Sequence, residues 1–280
     1  MRSLRSGRLA AFPWLGAGLL IGFVLLLAGC GVDTPQNTFA PEGEVAEKQR
    51  DLLTLVLWPA IVVFILVEGL LVYALVRFRK RGEDGPLPKQ VHGNTKLEIA
   101  WTILPTALMI GLAVPTIGGI IDLGRAPADD ALQVRVIGFQ WNWIVEYPEY
   151  TDADGNPLTV IGTCPTSCAE MHVPVEREVA VSLESSDVNH SFWIPRLAGK
   201  LDAIPGRIGR IWFNATSPGT YSGQCAEFCG IGHAGMRISV VAESQSEFEA
   251  WVRMQLGGEP ASGASDRAPE FTETTVRSEE

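Results

Sequence analysis

The sequence predicts a membrane-anchored all-β protein, in which a hairpin of two transmembrane helices precedes a β-sandwich or β-barrel domain. Three observations lead to this class. The mean hydropathy is +0.16 although the 280-residue chain carries a net charge of −10. The long apolar runs lie within the first 121 residues, and the rest of the chain shows short alternating segments between Gly- and Pro-containing turns. The acidic balance excludes nucleic acid as the main partner and favours a basic one.

Residues 1–29 have the features of a secretory signal. Three arginines precede a short apolar run, from about Trp14 to Leu26, and the segment ends in Leu-Ala-Gly-Cys at Cys30. This ending resembles a bacterial lipoprotein cleavage site. We therefore expect a signal peptide that is removed and a lipidated Cys30, whose acyl chains supplement the membrane helices. The alternative is a third membrane helix that ends in an ordinary cysteine.

Two further apolar runs, at 52–76 and about 97–121, predict the transmembrane hairpin. Each reaches the roughly 20 residues that are needed to cross a bilayer. The loop between them, residues 77–96, carries six Lys and Arg against two acidic residues, so the positive-inside rule predicts that it is cytoplasmic. Residues 30–51 and the chain after the hairpin are then external. A soluble helical hairpin is the alternative.

Residues 124–257 form the predicted external domain. From residue 122 onward the chain has 11 Lys and Arg against 23 Asp and Glu, a net charge of −12. Several short strand-like segments at this spacing are typical of a sandwich or barrel. Ser244 and Glu247 form a capping-box pattern, which predicts a short helix at the end of the domain. Residues 258–280 are rich in Gly, Ser, Pro and Glu and are expected to be disordered.

A cluster of soft metal ligands marks the candidate site. Cys225, Cys229, His233 and Met236 lie within twelve residues. Thiolate, imidazole and thioether are the ligands of copper electron-transfer sites. A mononuclear copper site of this kind needs one Cys, whereas two thiolates four residues apart can bridge two copper ions. Each copper ion then needs its own imidazole.

The second imidazole must come from elsewhere in the external domain. His190 follows a strand-like segment and precedes a Pro, which makes it the stronger candidate. His172 is the weaker candidate, and His92 lies in the predicted cytoplasmic loop. The alternative for Cys225 and Cys229 is a disulfide, which an external compartment permits. A disulfide would leave the neighbouring His and Met without a role.

The segment C-A-E-F-C-G-I-G-H-A-G-M resembles the C-x-E-x-C-x-x-x-H-x-x-M signature of subunit II of the haem–copper cytochrome c oxidases. The resemblance implies a cupredoxin-like external domain with a dinuclear copper centre, CuA. The implied bridging thiolates are Cys225 and Cys229, and the implied terminal imidazoles are His190 and His233. The thioether of Met236 would be a weak ligand of one copper ion, and the backbone carbonyl of Glu227 a weak ligand of the other. The side chain of Glu227 would also bind Mg²⁺ at the boundary with subunit I.

The resemblance implies further roles outside the ligand set. In F-Q-W-N-W, Trp141 corresponds to the position that accepts the electron from cytochrome c, and core packing is its alternative role. Asn142 stands where the family often has Tyr. Glu98 corresponds to a carboxylate near the mouth of a proton-uptake channel, and the alternative is an interfacial charge at a helix end. The family's acidic docking surface corresponds to Glu146, Asp187 and Asp202.

The resemblance implies no role for two further features. Cys164 and Cys168 are predicted to form a local disulfide, and a second metal site with His172 is the weaker alternative. Glu68, deep in the first apolar run, should face protein rather than lipid, and the sequence assigns it no role. The chain has no C-x-x-C-H motif, so no covalently attached haem c is expected and the electron donor is a separate protein or subunit.

Together these features predict the electron-accepting subunit of a cytochrome c oxidase, a multi-pass protein of a bacterial cell membrane with its copper domain on the outer face. It would take electrons from a basic, cytochrome c-like donor and pass them to haem in subunit I, where O₂ reduction is coupled to proton translocation. The subunit is not catalytic alone. One alternative is a quinol oxidase subunit II, which lacks the copper ligands. The other is a membrane-tethered copper-binding or copper-delivery protein, which would need neither Trp141 nor the Asp202 loop.

Overall fold

The computed structural model describes residue 22 and residues 34–79, 89–90, 92–163 and 168–257. The predictions for the signal peptide, Cys30, Cys164, most of the loop between the helices and the C-terminal tail lie outside these residues. The described chain consists of two long helices followed by a β domain and one short helix.

The two long helices are α1 (Glu44–Arg77) and α2 (Thr95–Leu123). Both are long and apolar enough to cross a membrane, and the apolar segment of each is unburied within this chain. Lipid is the environment in which such a surface is stable, because a helix satisfies its own backbone hydrogen bonds. The start of α2 is fixed by Asn94, whose side chain accepts hydrogen bonds from the next helical amides.

The β domain is built from two five-stranded sheets. Its strands in the described residues are β1 (Leu132–Phe139), β2 (Asn142–Thr151), β3 (Pro157–Ile161), β4 (Ala169–Pro174), β5 (Val179–Ser185), β6 (His190–Trp193), β7 (Leu201–Ala203), β8 (Gly209–Phe213), β9 (Gly219–Cys225) and β10 (Arg237–Glu243). The strand orders are β3-β2-β1-β5-β8 and β4-β10-β9-β6-β7. The pairs β1–β5 and β4–β10 are parallel, and the other neighbours are antiparallel. The predicted fold class, a helical hairpin followed by a cupredoxin-like β domain, is confirmed.

The core lies between the two sheets, where one face of each strand is apolar. In β1, burial alternates along the strand, so that Leu132, Val134 and Val136 point inward. Trp143 and Phe192 are fully buried and pack edge to face, with ring centroids 6.0 Å apart. Because β2 and β6 carry these two rings next to the strand ends, the rigid core extends directly beneath the candidate copper ligands.

A short helix, α3 (Gln245–Gln255), covers a part of the core that lies away from the candidate copper ligands. It begins with the predicted capping box, in which Ser244 and Glu247 satisfy each other's backbone amides. Its Trp251 ring lies 5.4 Å from Tyr147 and stacks on the imidazole of His172 at 4.2 Å. His172 is therefore a packed residue beneath this helix.

Residues 40–43, here called the N-terminal strap, fasten the start of α1 to the β domain. Arg196 donates hydrogen bonds to the carbonyl of Ala40 and to the Glu42 carboxylate, at 2.8 and 2.9 Å. The backbone of Glu42 pairs in turn with Arg196 and Thr216. The first amide of α1, that of Glu44, donates to the Asn214 side chain at 2.9 Å. The helix begins eight residues before the apolar run because its first turn is anchored here.

Candidate metal centre

The candidate copper ligands meet at one end of the β domain because two strand pairings bring their loops together. Cys225 ends β9 and is opposite Phe192 of β6, which begins at His190. Cys229 and His233 lie in the loop from β9 to β10. The β9–β10 pairing returns the chain to the same strand end, directly after Met236.

The two sulfur atoms at the centre are paired, and each has its own imidazole. Cys225 Sγ and Cys229 Sγ are 3.8 Å apart. His190 Nδ1 lies 3.9 Å from Cys225 Sγ, and His233 Nδ1 lies 3.7 Å from Cys229 Sγ. Cys225 and Cys229 are free thiols in the described structure, and neither forms the disulfide considered as their alternative.

Each sulfur also has a weaker donor beside it. Met236 Sδ lies 3.8 Å from Cys229 Sγ, and the carbonyl oxygen of Glu227 lies 3.2 Å from Cys225 Sγ. A loop carbonyl comes this close because the backbone between the two cysteines is wrapped around the sulfur pair. The arrangement is therefore nearly symmetric, with one thiol, one imidazole and one weak donor on each side.

The site is buried, and this burial makes its charge state depend on neighbouring groups. His190 and Met236 are 0% exposed, and the two cysteines are 4% exposed. Burial is the largest single influence on Cys225 and opposes its ionisation, but the hydrogen bonds from His190, His233 and the neighbouring backbone together outweigh it and lower the pKa of this thiol. Burial and the adjacent Cys225 sulfur raise the pKa of Cys229. Two adjacent thiolates therefore need a bound cation to hold both charges, and this soft, buried donor set fits copper.

His190 is oriented by a carboxylate on its far side. Its Nε2 lies 2.9 Å from Asp187 Oδ1, which leaves Nδ1 towards the sulfur pair. The Asp187 carboxylate is itself held by the backbone amides of Gln140 and Val188, at 2.7 and 2.6 Å. A second-layer carboxylate of this kind fixes the tautomer and ring orientation of a metal-binding histidine. The sequence predicted Asp187 only as a docking charge and missed this contact.

Trp141 lies against the loop that carries the ligands. Its Nε1 donates a hydrogen bond to the carbonyl of Cys229 at 3.0 Å, and Gln140 Nε2 donates to the same oxygen at 2.7 Å. The indole ring covers Gly230 and Gly232, which leave the space that it occupies. Trp141 is partly exposed, so it connects the solvent surface with the backbone of a candidate ligand. Gln140 was not among the predicted site residues.

The other predicted residues lie outside this cluster. Glu146 is ion-paired with Arg135 at 2.9 Å, and Asp202 with Lys200 at 3.3 Å, so each of the two docking candidates has a basic partner. Glu98, in the first turn of α2, accepts the amide of Asn94 at 3.0 Å. His172, the weaker imidazole candidate, bonds to Glu243 at 2.9 Å beneath α3.

The additional cysteine pair is described only in part. Cys168 is disulfide-bonded, and its predicted partner Cys164 lies outside the described residues. Among the described residues, the group of His, Cys, Asp and Glu with ligand atoms close enough to hold one metal ion is His190, Cys225 and Cys229. The structure therefore gives no support to a second metal site at His172.

Comparisons with known proteins cover both parts of the chain. Residues 39–118 match a family model described as cytochrome C oxidase subunit II, transmembrane domain, and residues 132–243 match its periplasmic domain. Cytochrome c oxidase subunit 2 of Alkalihalophilus pseudofirmus is 34% identical, over 89% of this chain and 68% of that protein. Quinol oxidase subunit 2 of Bacillus spizizenii is 32% identical, over 84% of this chain and 70% of that protein.

One solved structure is similar to part of this chain. The periplasmic domain of subunit II of cytochrome oxidase from Bradyrhizobium japonicum is 33% identical, covers 47% of this chain and 96% of that chain, and has a TM-score of 0.41. The two family models include the hairpin, the β domain and all six candidate copper ligands. The chain therefore belongs to the cytochrome c oxidase subunit II family, whose members are subunits of an oxidoreductase complex.

Proposed function

We propose that this chain is the electron-accepting subunit of a cytochrome c oxidase and that its β domain holds a dinuclear CuA centre. One observation carries the proposal: the buried sulfur pair has an imidazole and a weak donor on each side. A site with one copper ion would leave the imidazole and the weak donor on one side without a metal to bind. The bound copper pair would take up one electron at a time and pass it on to the haem of a partner subunit.

The protein contributes rigidity and exclusion of water. His190 is held between Asp187 and Cys225, and the Cys229 carbonyl accepts two hydrogen bonds, so the ligands have little freedom to move. A site whose ligands keep their positions when charge arrives needs little reorganisation for electron transfer. The buried sulfurs are also kept from water, which would otherwise rearrange around each change of charge.

We infer that the electron arrives through Trp141 from a basic, cytochrome c-like donor. The partly exposed indole is hydrogen-bonded to the backbone of Cys229, which offers a short path from the surface to a ligand. The external part of the chain is acidic, which favours a basic partner. Similarity alone does not separate the cytochrome c and quinol classes, because relatives of both names match. The complete copper ligand set favours cytochrome c.

The side chain of Glu227 is the proposed Mg²⁺ ligand at the boundary with subunit I. Its carbonyl faces the sulfur pair, and its half-buried carboxylate is left for this second role. The neighbouring side chains of Phe228 and Ile231 are 78% and 95% exposed. Exposed apolar groups beside a metal site fit a surface that a partner subunit covers.

We further propose a bacterial cell-membrane location with the copper domain outside and Cys30 lipidated. The N-terminal strap contacts the β domain, so both flanks of the hairpin lie on the same side. Arg77, Arg79, Lys89 and Lys96 mark the opposite side, which the positive-inside rule assigns to the cytoplasm. Glu98 lies at that end of α2 and remains the candidate for assisting proton uptake.

Electron paramagnetic resonance of the full chain tests the copper proposal. The chain, purified in detergent and supplied with copper, is expected to give hyperfine structure from two equivalent copper nuclei. His190→Ala should abolish that pattern, whereas His172→Ala, which removes the histidine beneath α3, should leave it unchanged. A mononuclear blue-copper spectrum or no copper uptake would contradict the proposal. Readily exchangeable copper would favour a copper-delivery protein instead.

A further inference from the structure

Glu68 is a carboxylate at membrane depth. It lies in α1, nine residues before Arg77 and sixteen after Leu52, where the apolar run begins. At a rise of about 1.5 Å per residue, it is about 14 Å from Arg77, at the basic end of the helix, and about 24 Å from Leu52, at the start of the apolar run. Its side chain is exposed on the helix surface. The bilayer core of roughly 30 Å therefore surrounds this residue.

The described residues of the hairpin offer Glu68 no partner. Between Asp51 and Arg77 it is the single charged residue of α1, and α2 has none between Glu98 and Asp122. Within the described residues, it makes no hydrogen bond or ion pair. An intramembrane carboxylate is costly unless another group pairs with it. A group from outside the described residues is therefore required.

A groove between the two helices passes this carboxylate. It has a volume of about 460 Å³, and its lining includes Pro59, Phe64, Glu68, Leu108, Met109 and Leu112. Glu68 is the one charged residue among those that line it. The groove is therefore apolar along its length and acidic at a single point.

We propose that this groove binds a transmembrane helix of a partner subunit, which presents a basic or hydroxyl side chain to Glu68. Lipid tails have no hydrogen-bond donor, and the nearer headgroups lie about 14 Å away by the helix rise. A second copy of this chain, docked symmetrically, would bring one Glu68 towards another. A partner helix with a donor satisfies both the apolar lining and the carboxylate. This inference depends on the membrane position of the hairpin and not on the copper site.

Retention of partner subunits in the assembled complex tests the proposal. The tagged chain is expressed with its natural membrane partners and extracted in mild detergent, and the co-purified subunits are quantified. We expect Glu68→Leu to lower their yield at least fivefold, because the partner's polar group then faces an apolar side chain. This substitution makes α1 more apolar, so it favours membrane insertion. Copper resonance on the same samples reports the β domain independently.

Leu66→Ala is the matched control. Leu66 is 59% exposed at nearly the same depth, about 160° around the helix from Glu68, and its substitution should leave the yield unchanged. Glu68→Gln identifies the donor: loss of the partners indicates a basic group, and retention indicates a hydroxyl. A wild-type yield with Glu68→Leu would overturn the proposal in favour of lipid. Capture of a differently tagged second copy, lost with Glu68→Leu, would overturn it in favour of self-association.

Discussion

Gly232 decides where the indole of Trp141 can lie. A Cβ at position 232 would be 2.5 Å from Cγ of Trp141, far closer than two carbon atoms can approach. The backbone of Gly232, with φ −88° and ψ 2°, is open to any residue, so glycine is needed here for space and not for conformation. The missing side chain at this position lets Trp141 reach the Cys229 carbonyl.

Gly232→Ala should therefore slow electron uptake without removing the copper. The added methyl group pushes the indole outward and breaks its hydrogen bond to Cys229. We expect stopped-flow reduction by cytochrome c to be several-fold slower, with an unchanged copper resonance. Gly235→Ala is the control, since a Cβ there has no neighbour within 4 Å. Equal rates for the two variants would contradict the assignment of Trp141.

Single residues of the site were predictable where the chain places them close together. Cys225, Cys229, His233 and Met236 share one short segment, and their chemistry alone indicates copper. The sequence did not predict that Gly138 makes room for the imidazole of His190. A Cβ at position 138 would lie 2.9 Å from Cδ2 of His190. Such a contact joins separate strands, so only the folded sheets define it.

At the scale of elements, the start of α1 depends on a residue far along the chain. The apolar pattern predicted a helix from residue 52, because hydropathy marks membrane depth and not hydrogen bonding. The helix begins at Glu44 because the side chain of Asn214, 170 residues later, accepts its first free amide. Val45 and Ala46 are buried against the domain, unlike the apolar residues that follow. No local pattern reveals that contact.

Asn214→Ala should loosen this first turn. Losing a capping acceptor costs about 1 kcal/mol, which corresponds to roughly fivefold faster hydrogen exchange. We expect that change in a peptide covering residues 44–47, measured by mass spectrometry on the full chain in detergent. Peptides from β1 serve as the internal control. Unchanged exchange at the helix start would show that Arg196 and the strap hold it without Asn214.

Arg135 joins three strands of the first sheet through two carboxylates. It bonds to Glu184 of β5 at 2.9 and 3.0 Å and to Glu146 of β2 at 2.9 Å. The hydrogen bond from Arg135 outweighs burial and lowers the pKa of Glu184. A carboxylate whose pKa is lower in the folded state stabilises the fold at every pH above its unfolded-state pKa. This stabilisation disappears as the pH falls through the folded-state pKa.

Glu184→Gln should therefore lower the melting temperature of the β domain at neutral pH. The difference from the wild type should shrink as the pH falls below the unfolded pKa of about 4.3, and it should vanish once the pH has passed through the lower folded pKa. Tryptophan fluorescence of the full chain in detergent follows this transition. Glu249→Gln, on the exposed face of α3, is the control, and a pH-independent difference would contradict the ion-pair account.

At the scale of the whole molecule, charge is divided unevenly along the chain, and in the proposed topology the two signs lie on opposite sides of the membrane. The external part has 11 Lys and Arg against 23 Asp and Glu, whereas the loop between the helices is basic. The averages of the full chain hide this asymmetry. Composition along the chain therefore predicted the fold class, and its prediction of orientation stays a prediction. It did not predict which acids are free, because Glu146, Asp187 and Asp202 all have partners in the structure.

Electron uptake from a basic cytochrome c should slow as ionic strength rises. Screening weakens the attraction between an acidic domain and a basic donor before contact, so the second-order rate should fall several-fold. Asp202→Asn should lower the rate at low salt if this carboxylate contributes to docking, whereas Glu249→Gln on α3 should not. Stopped-flow kinetics over a salt series provides the measurement. A rate that is independent of salt would indicate docking by apolar contact alone.

The N-terminal strap sets an order for the biogenesis of the protein. Ala40 and Glu42 are synthesised more than 150 residues before Arg196, which binds both. In the proposed topology, the strap therefore has to cross the membrane first and remain there without its partners until the β domain has been exported. The folded β domain can then bind the strap when both helices of the hairpin span the membrane, whereas a single inserted helix would leave the strap and Arg196 in different compartments.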